Sequence, residues 1–219
     1  MSRTQKVQEQ FPPMPGIVLA GGRSLRMGWP KALLRWPGET VSLGRHVTST
    51  LRDAGLSPLA IVTGAHHDQI APLFADTDVA VVYNADHDAG QLSSLQLGLR
   101  WGLAVPGAEW VLVTLVDVPA VQADTVRHLI AQARHSSALV VRPVIGASHG
   151  HPVIWRREAV HQLDQADPAV GGRSVVRALA ARGRVLDVPV DDAGVLLDVD
   201  TPDEYDALRR AMTGPASES

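Results

Sequence analysis

The chain has 219 residues, 45% of them hydrophobic and 20% charged, with a formal net charge of −3 and no cysteine. That length suits one large domain with an ample core. The acidic balance argues against a nucleic-acid binder, which presents a basic surface, and the absent thiols exclude disulfides, thiolate catalysis and cysteine-based metal centres.

In chain order, MSRTQKVQEQFPPMPG is polar and lacks the apolar segment of a signal peptide. Residues 1–14 are therefore expected to form a flexible tail, with a domain over 15–213 and a second tail over 214–219. Apolar runs predict strands at 16–20, 58–63, 78–83, 110–116 and 138–143, with a shorter one at 152–155. Helical spacing falls between them, at 42–54, 66–74, 91–102 and 122–134, then at 156–165 and 173–182. A last helix is signalled by Thr201 and Pro202 followed by Asp203 and Glu204. Strands alternating with helices imply parallel βαβ units and a three-layer α/β/α, Rossmann-like domain with a mostly parallel sheet. Its ligand is expected beyond the carboxyl ends of the strands. No apolar run approaches the roughly 18–20 residues that span a bilayer, so neither membrane nor nucleic acid is an expected partner and the cytoplasm is the expected compartment.

The first strand empties into Gly21, Gly22, Arg23, Ser24, Arg26, Gly28 and Lys31. Glycines let backbone N–H groups approach an anion and permit positive φ, while the cations neutralise phosphate charge. Pro30 restrains the backbone that presents Lys31. The loop is not GxxxxGK[ST], because Lys31 follows a proline and precedes Ala32. Asp117 ends the most hydrophobic run, WVLVTLV, where a carboxylate suits Mg²⁺; a turn aspartate before Pro119 is the structural alternative. Asp198 and Asp200 alternate with apolar residues and would share one face of a strand. Ser93 and Ser94 open the helix at 91–102, either as caps or as contacts to a nucleotide. Gly171, Gly172, Arg173 and Ser174 start a helix and suit a phosphate. His66, His67 and His87 are read as loop or surface residues without a role.

LAGGRSLRMGWPK, at 19–31, resembles the signature loop of the MobA/MocA-like nucleotidyltransferases. GQLSSLQLGL, LVDVPAV, GHPVIW, GGRSVV and LDVDTPDEY follow in that family's order over 90–205. The resemblance implies transfer of a nucleoside monophosphate from an NTP to the phosphate of the molybdenum-cofactor pterin, with Mg²⁺ and release of pyrophosphate. It assigns nucleotide contact to Leu19, Ala20, Gly21, Gly22, Arg23, Ser24, Arg26, Lys31, Ser93 and Ser94. Metal binding falls to Asp117 and Asp200, and the acceptor to Gly150, His151, Pro152, Gly172, Arg173 and Ser174. Arg26, Lys31 and Asp117 are the residues expected to carry catalysis. Val118 stands where the family places a polar residue or Met. The Gly22 of LAGG matches guanylyltransferases, whereas GQLSSLQLG and GHPVIW lean towards cytidylyltransferases; the two longer blocks make CTP the expected nucleotide and GTP the alternative. A sugar-phosphate nucleotidyltransferase and a non-catalytic cofactor carrier are the other readings. A molybdenum oxidoreductase or its chaperone would be the protein partner.

Overall fold

The computed structural model describes residues 11–165 and 172–213. Strands β1 (Gly16–Ala20), β2 (Leu59–Thr63), β3 (Ala80–Tyr83) and β4 (Trp110–Leu115) are parallel, in the order β3-β2-β1-β4. They are joined by helices α1 (Leu43–Asp53), α2 (His67–Ile70) and α3 (Gln91–Leu103). After α4 (Ala123–Arg134) come β5 (Val140–Ile145), β6 (Ser148–His149), β7 (Val153–Arg156), α5 (Arg157–Asp164), α6 (Gly172–Ala180), β8 (Val185–Pro189) and α7 (Pro202–Thr213).

The expected layers form because successive strand residues face opposite sides. Val18, Ile61, Leu112, Val141 and Ile154 pack beneath α1 and α4, around Val47, Leu51, Val126 and Leu129. Their neighbours Ile17, Val62, Val111, Val140 and Trp155 pack on the other face, with Leu99, Val160, Leu163 and Leu179 of α3, α5 and α6. The mostly parallel, three-layer expectation holds, with one insertion. β7 runs antiparallel between β4 and β5, while β8 pairs parallel with β5. β6 and β7 pair with the same strand in registers offset by two residues, so Gly150–Pro152 bulges out between them.

Helical spacing at 66–74 resolves into the short α2 and a 3₁₀ turn over Ala71–Phe74, because Pro72 has no N–H to continue an α-helix. Residues 197–200 are not a strand. Residues 1–10, most of the expected N-terminal tail, and 214–219 lie outside the described residues, while Met14 is already buried in the core. Among the described residues no helix is long and apolar enough to cross a membrane.

Candidate functional site

Because β1 to β4 are parallel, the residues just past their carboxyl ends collect along one edge of the sheet, around a cavity of about 260 Å³. Leu19, Ala20, Gly21, Gly22, Ser24, Lys31, Ser94 and Asp117 all line it. The glycines act through space rather than through backbone sign. Left-handed φ in this loop falls at Ser24 (50°) and Gly28 (72°), not at Gly21 or Gly22. A Cβ on Gly21 would stand 2.8 Å from Ser94 Oγ, and one on Gly64 only 2.5 Å from the Gly21 carbonyl oxygen. Gly21 is thus fixed by close approach, whereas a Cβ on Gly22 would meet nothing within 4 Å.

Lys31 is the electrostatic centre of the site. Its side chain is 11% exposed, and Nζ donates to Asp117 Oδ2 at 2.8 Å and also to Asp200 Oδ1. Burial opposes the ammonium charge, but the hydrogen bonds and charges of the two carboxylates outweigh it and hold its pKa above the ordinary lysine value. The Lys31 bond, reinforced by Arg26 donating to Oδ2 at 2.5 Å, holds Asp200 below the usual carboxylate range. Asp117 Oδ1 is buried and has no hydrogen-bond partner among the described residues. An orphaned carboxylate oxygen beside a second carboxylate suits a divalent cation, which takes oxygen ligands.

Asp200 reaches Asp117 across 83 residues because its segment is held at several points. Asp192 accepts from Gly194 N, Gln122 N and Thr125 Oγ1. A Cβ on Gly194 would lie 2.2 Å from the Ala120 carbonyl oxygen, so only glycine permits this crossing. Val199 N donates to the Asp117 carbonyl at 2.8 Å, and Val199 packs with Met27, Trp36, Leu43 and Leu208. α7 then starts with a reciprocal cap: Glu204 N donates to Thr201 Oγ1, and Glu204 Oε2 accepts from Asp200 N and Thr201 N. Asp198 and Asp200 flank the buried Val199, as their alternation suggests, although residues 197–200 form no strand. Asp198 has no ion-pair partner among the described residues, and partial desolvation of its carboxyl together with the charges of Asp117 and Asp200 raises its pKa.

The bulge brings the GHP segment to the same edge. Gly150 is required there, since a Cβ would lie 2.2 Å from the Val195 carbonyl oxygen, and His151 N donates to that oxygen at 2.9 Å. His151 lies close enough to Asp117 and Arg173 to feel both charges; burial lowers its pKa to about 4, and its buried Nδ1 has no hydrogen-bond partner among the described residues. Pro152 does not join it. It is buried against Thr114, Val118 and Val126, facing the core. Val118 is 1% exposed, so the side chain that departs from the family pattern does not reach the cavity. Gly172 packs on Leu95 of α3 rather than on the cavity, Arg173 is exposed, Ser174 is half-buried, and Gly171 lies outside the described residues.

Ser93 and Arg23 are both engaged within the protein. Ser93 faces the turn before α3, donating to the carbonyls of Asp86 and Gly90. Arg23, paired with a carboxylate as Lys31 and Arg26 are, donates three hydrogen bonds of 2.7–3.0 Å to Asp88. His66 and His87, read from the sequence as without a role, line the cavity, whereas His67 bonds Thr63 and meets the Tyr83 ring at a tilt of 45°. Asn84, 4% exposed, was not singled out. It directly follows β3 as Gly21 follows β1, with Asp117 two residues past β4, and this place just beyond a strand was the signal for it.

Residues 16–184 match the family model of the MobA-like NTP transferase domain. A protein from Opitutus terrae named as a molybdenum cofactor guanylyltransferase is 33% identical over 205 residues, covering 90% of this chain and 95% of the relative. The molybdenum cofactor cytidylyltransferase of Escherichia coli is 26% identical, covering 90% and 96%. The crystal structure of Rv0371c from Mycobacterium tuberculosis superposes with a TM-score of 0.76 at 28% identity, covering 90% of this chain and 98% of that one. A structure of Rv0371c in complex with manganese superposes at 0.70, with 27% identity and coverage of 91% and 99%. The glycine-lined cavity at the strand ends and the match over most of the chain thus agree, and the protein belongs to the family of MobA-like NTP transferase domains.

Proposed function

We propose that the chain transfers a nucleoside monophosphate from an NTP to the phosphate of the molybdenum-cofactor pterin. The observation that carries this reading is the Lys31 ammonium held between Asp117 and Asp200 at the end of a glycine-lined cavity. An acceptor phosphate oxygen attacks the α-phosphorus, the new P–O bond forms, and the bond to the β-phosphate oxygen breaks to release pyrophosphate. A phosphate monoester is anionic at neutral pH, so the protein need supply no nucleophile or general base. Its part is positioning and charge neutralisation. Lys31 and Arg26 turn from the carboxylates onto the β- and γ-phosphate oxygens and the departing pyrophosphate. Gly21 and Gly22 admit the nucleotide to the ends of β1 and β2, and His151 and Arg173 border the side left for the acceptor. Asp117 and Asp200 would hold Mg²⁺, which when bound neutralises phosphate charge and makes the α-phosphorus more electrophilic.

CTP is the first reading of the nucleotide, carried by the GQLSSLQLG and GHPVIW blocks. GTP is the second, favoured by the open space over Gly22 and by the Opitutus terrae relative. Titration calorimetry with CTP and GTP, each with and without Mg²⁺, tests both. Mg²⁺-dependent binding of one nucleotide, followed by its transfer to the pterin, is the expected result. Failure to bind either would overturn the reading, and tighter GTP binding would reverse the order of the two.

A further inference from the structure

The order β3-β2-β1-β4 divides the cavity into two ends. Beyond β4, to one side of β1, lie Lys31, Asp117, Asp200 and Arg26, a cluster of cations and carboxylates suited to phosphates and metal. Beyond β2 and β3, on the other side, the lining is His66, His87, Gln91 and Ser94, with Asn84 behind Ser94. An uncharged nucleoside belongs at this second end.

Asn84 has a defined orientation there. Its Oδ1 accepts from the backbone N–H of Asp86 at 3.0 Å, so its amide nitrogen must be the atom facing α3. That Nδ2 donates to Ser93 Oγ and Ser94 Oγ, each at 2.9 Å. Ser93 passes its own hydrogen to the carbonyls of Asp86 and Gly90. Ser94 differs. Its oxygen accepts from Asn84, it is 5% exposed and lines the cavity beside Gly21, and among the described residues its O–H donates to no acceptor. A buried hydroxyl whose lone pair is engaged by a donor points its hydrogen elsewhere, and the open direction is the cavity.

We propose that Asn84 is a positioning residue which commits the Ser94 hydroxyl to donate into the cavity, to an oxygen or ring-nitrogen acceptor on the nucleoside. This rests on the nucleotidyltransferase reading and adds to it the residue that sets the polarity of the nucleoside end. Asn84→Asp keeps the shape and the bond from Asp86 N, but replaces the donor by an acceptor. Ser94 then gives its hydrogen to the new carboxylate and turns a lone pair towards the ligand.

The test is a double-mutant cycle of Asn84→Asp and Ser94→Ala, read by calorimetry with CTP, GTP and pyrophosphate in Mg²⁺, with thermal unfolding to verify the fold. Each single variant should bind the preferred nucleotide about tenfold more weakly, the net worth of one hydrogen bond. The double variant should bind no more weakly than Ser94→Ala alone, and pyrophosphate affinity should stay at the wild-type value throughout. Three results would overturn the proposal: unchanged nucleotide binding by Asn84→Asp, an equal loss for pyrophosphate, or additive losses in the double variant. Should Asn84→Asp fail to fold, Asn84→Ala takes its place in the same cycle. A wild-type protein that binds neither CTP nor GTP refutes the nucleotidyltransferase reading itself, which separates that failure from this one.

Discussion

Replacing Lys31 by Met should convert a self-neutralised site into a metal-seeking one. Lys31 Nζ contacts both Asp117 and Asp200, so the two carboxylate oxygens lie about 5 Å apart or closer. Without the ammonium, two like charges at that separation repel by about 3 kcal/mol at an effective dielectric near 20. Arg26 still pairs with Asp200, and the carboxylate side chains are 23% and 24% exposed, so the penalty falls to about 1–2 kcal/mol. A divalent cation entering the wild-type protein must also displace two charge-assisted bonds, each worth about 1.5–3 kcal/mol. Nucleotide-free Lys31→Met is therefore expected to be less stable than wild type in chelator and to bind Mn²⁺ at least about tenfold more tightly. Its nucleotidyl transfer should fall by roughly a hundredfold or more, because the phosphates lose their nearest cation. Paramagnetic titration of Mn²⁺ and thermal unfolding with and without the ion read the first two effects. If Mn²⁺ affinity in the variant equals or falls below that of wild type, Lys31 does not compete with metal for Asp117 and Asp200.

Asp117→Asn should preserve the fold and lower turnover by about a hundredfold or more, on the order of 3 kcal/mol in the transition state; near-normal turnover would remove Asp117 from the chemistry. Gly22→Ala meets open space, so the melting temperature should not change, while GTP binding should suffer more than CTP binding; an unchanged preference in calorimetry would separate Gly22 from base selection. His151 makes the protein acid-sensitive. Its pKa falls from 6.5 to about 4 on folding, so between those values the unfolded chain takes up a proton that the folded one refuses. Stability due to this residue is full above pH 6.5, declines as pH falls, and levels off below about 4, a loss of at most about 3 kcal/mol. Urea unfolding at pH 7 and 4.5 should show His151→Gln losing less stability than wild type, and equal losses would refute the assignment.

Much of this architecture was legible because a buried parallel strand must be apolar along its length. IVLA, LAIV, AVVY and WVLVTL could hardly be anything else, and the chemistry-bearing residues follow them directly. What escaped depends on long-range pairing. VIWR reads as a strand, but nothing local says that it inserts antiparallel between β4 and β5, and in the strand Val185–Pro189 an aspartate and a proline break up the apolar pattern. Pro152 looked like part of a pocket because it adjoins His151, yet the bulge turns consecutive side chains to opposite sides. Asn84 was hidden for a different reason. Its importance lies in the two serines it bonds, and such a partnership is visible only once β3 and α3 are adjacent.

The late position of Asp200 bears on how the protein is made. By Pro189 all eight strands have left the ribosome, but the second carboxylate partner of Lys31 is eleven residues further on. During synthesis the sheet can therefore assemble while the charged end still lacks Asp200 and the helix that caps it. The charged end of the cavity is closed by a segment that emerges after the strands, so a nascent chain interrupted after β8 would carry the described sheet and a Lys31 with one of its two carboxylates.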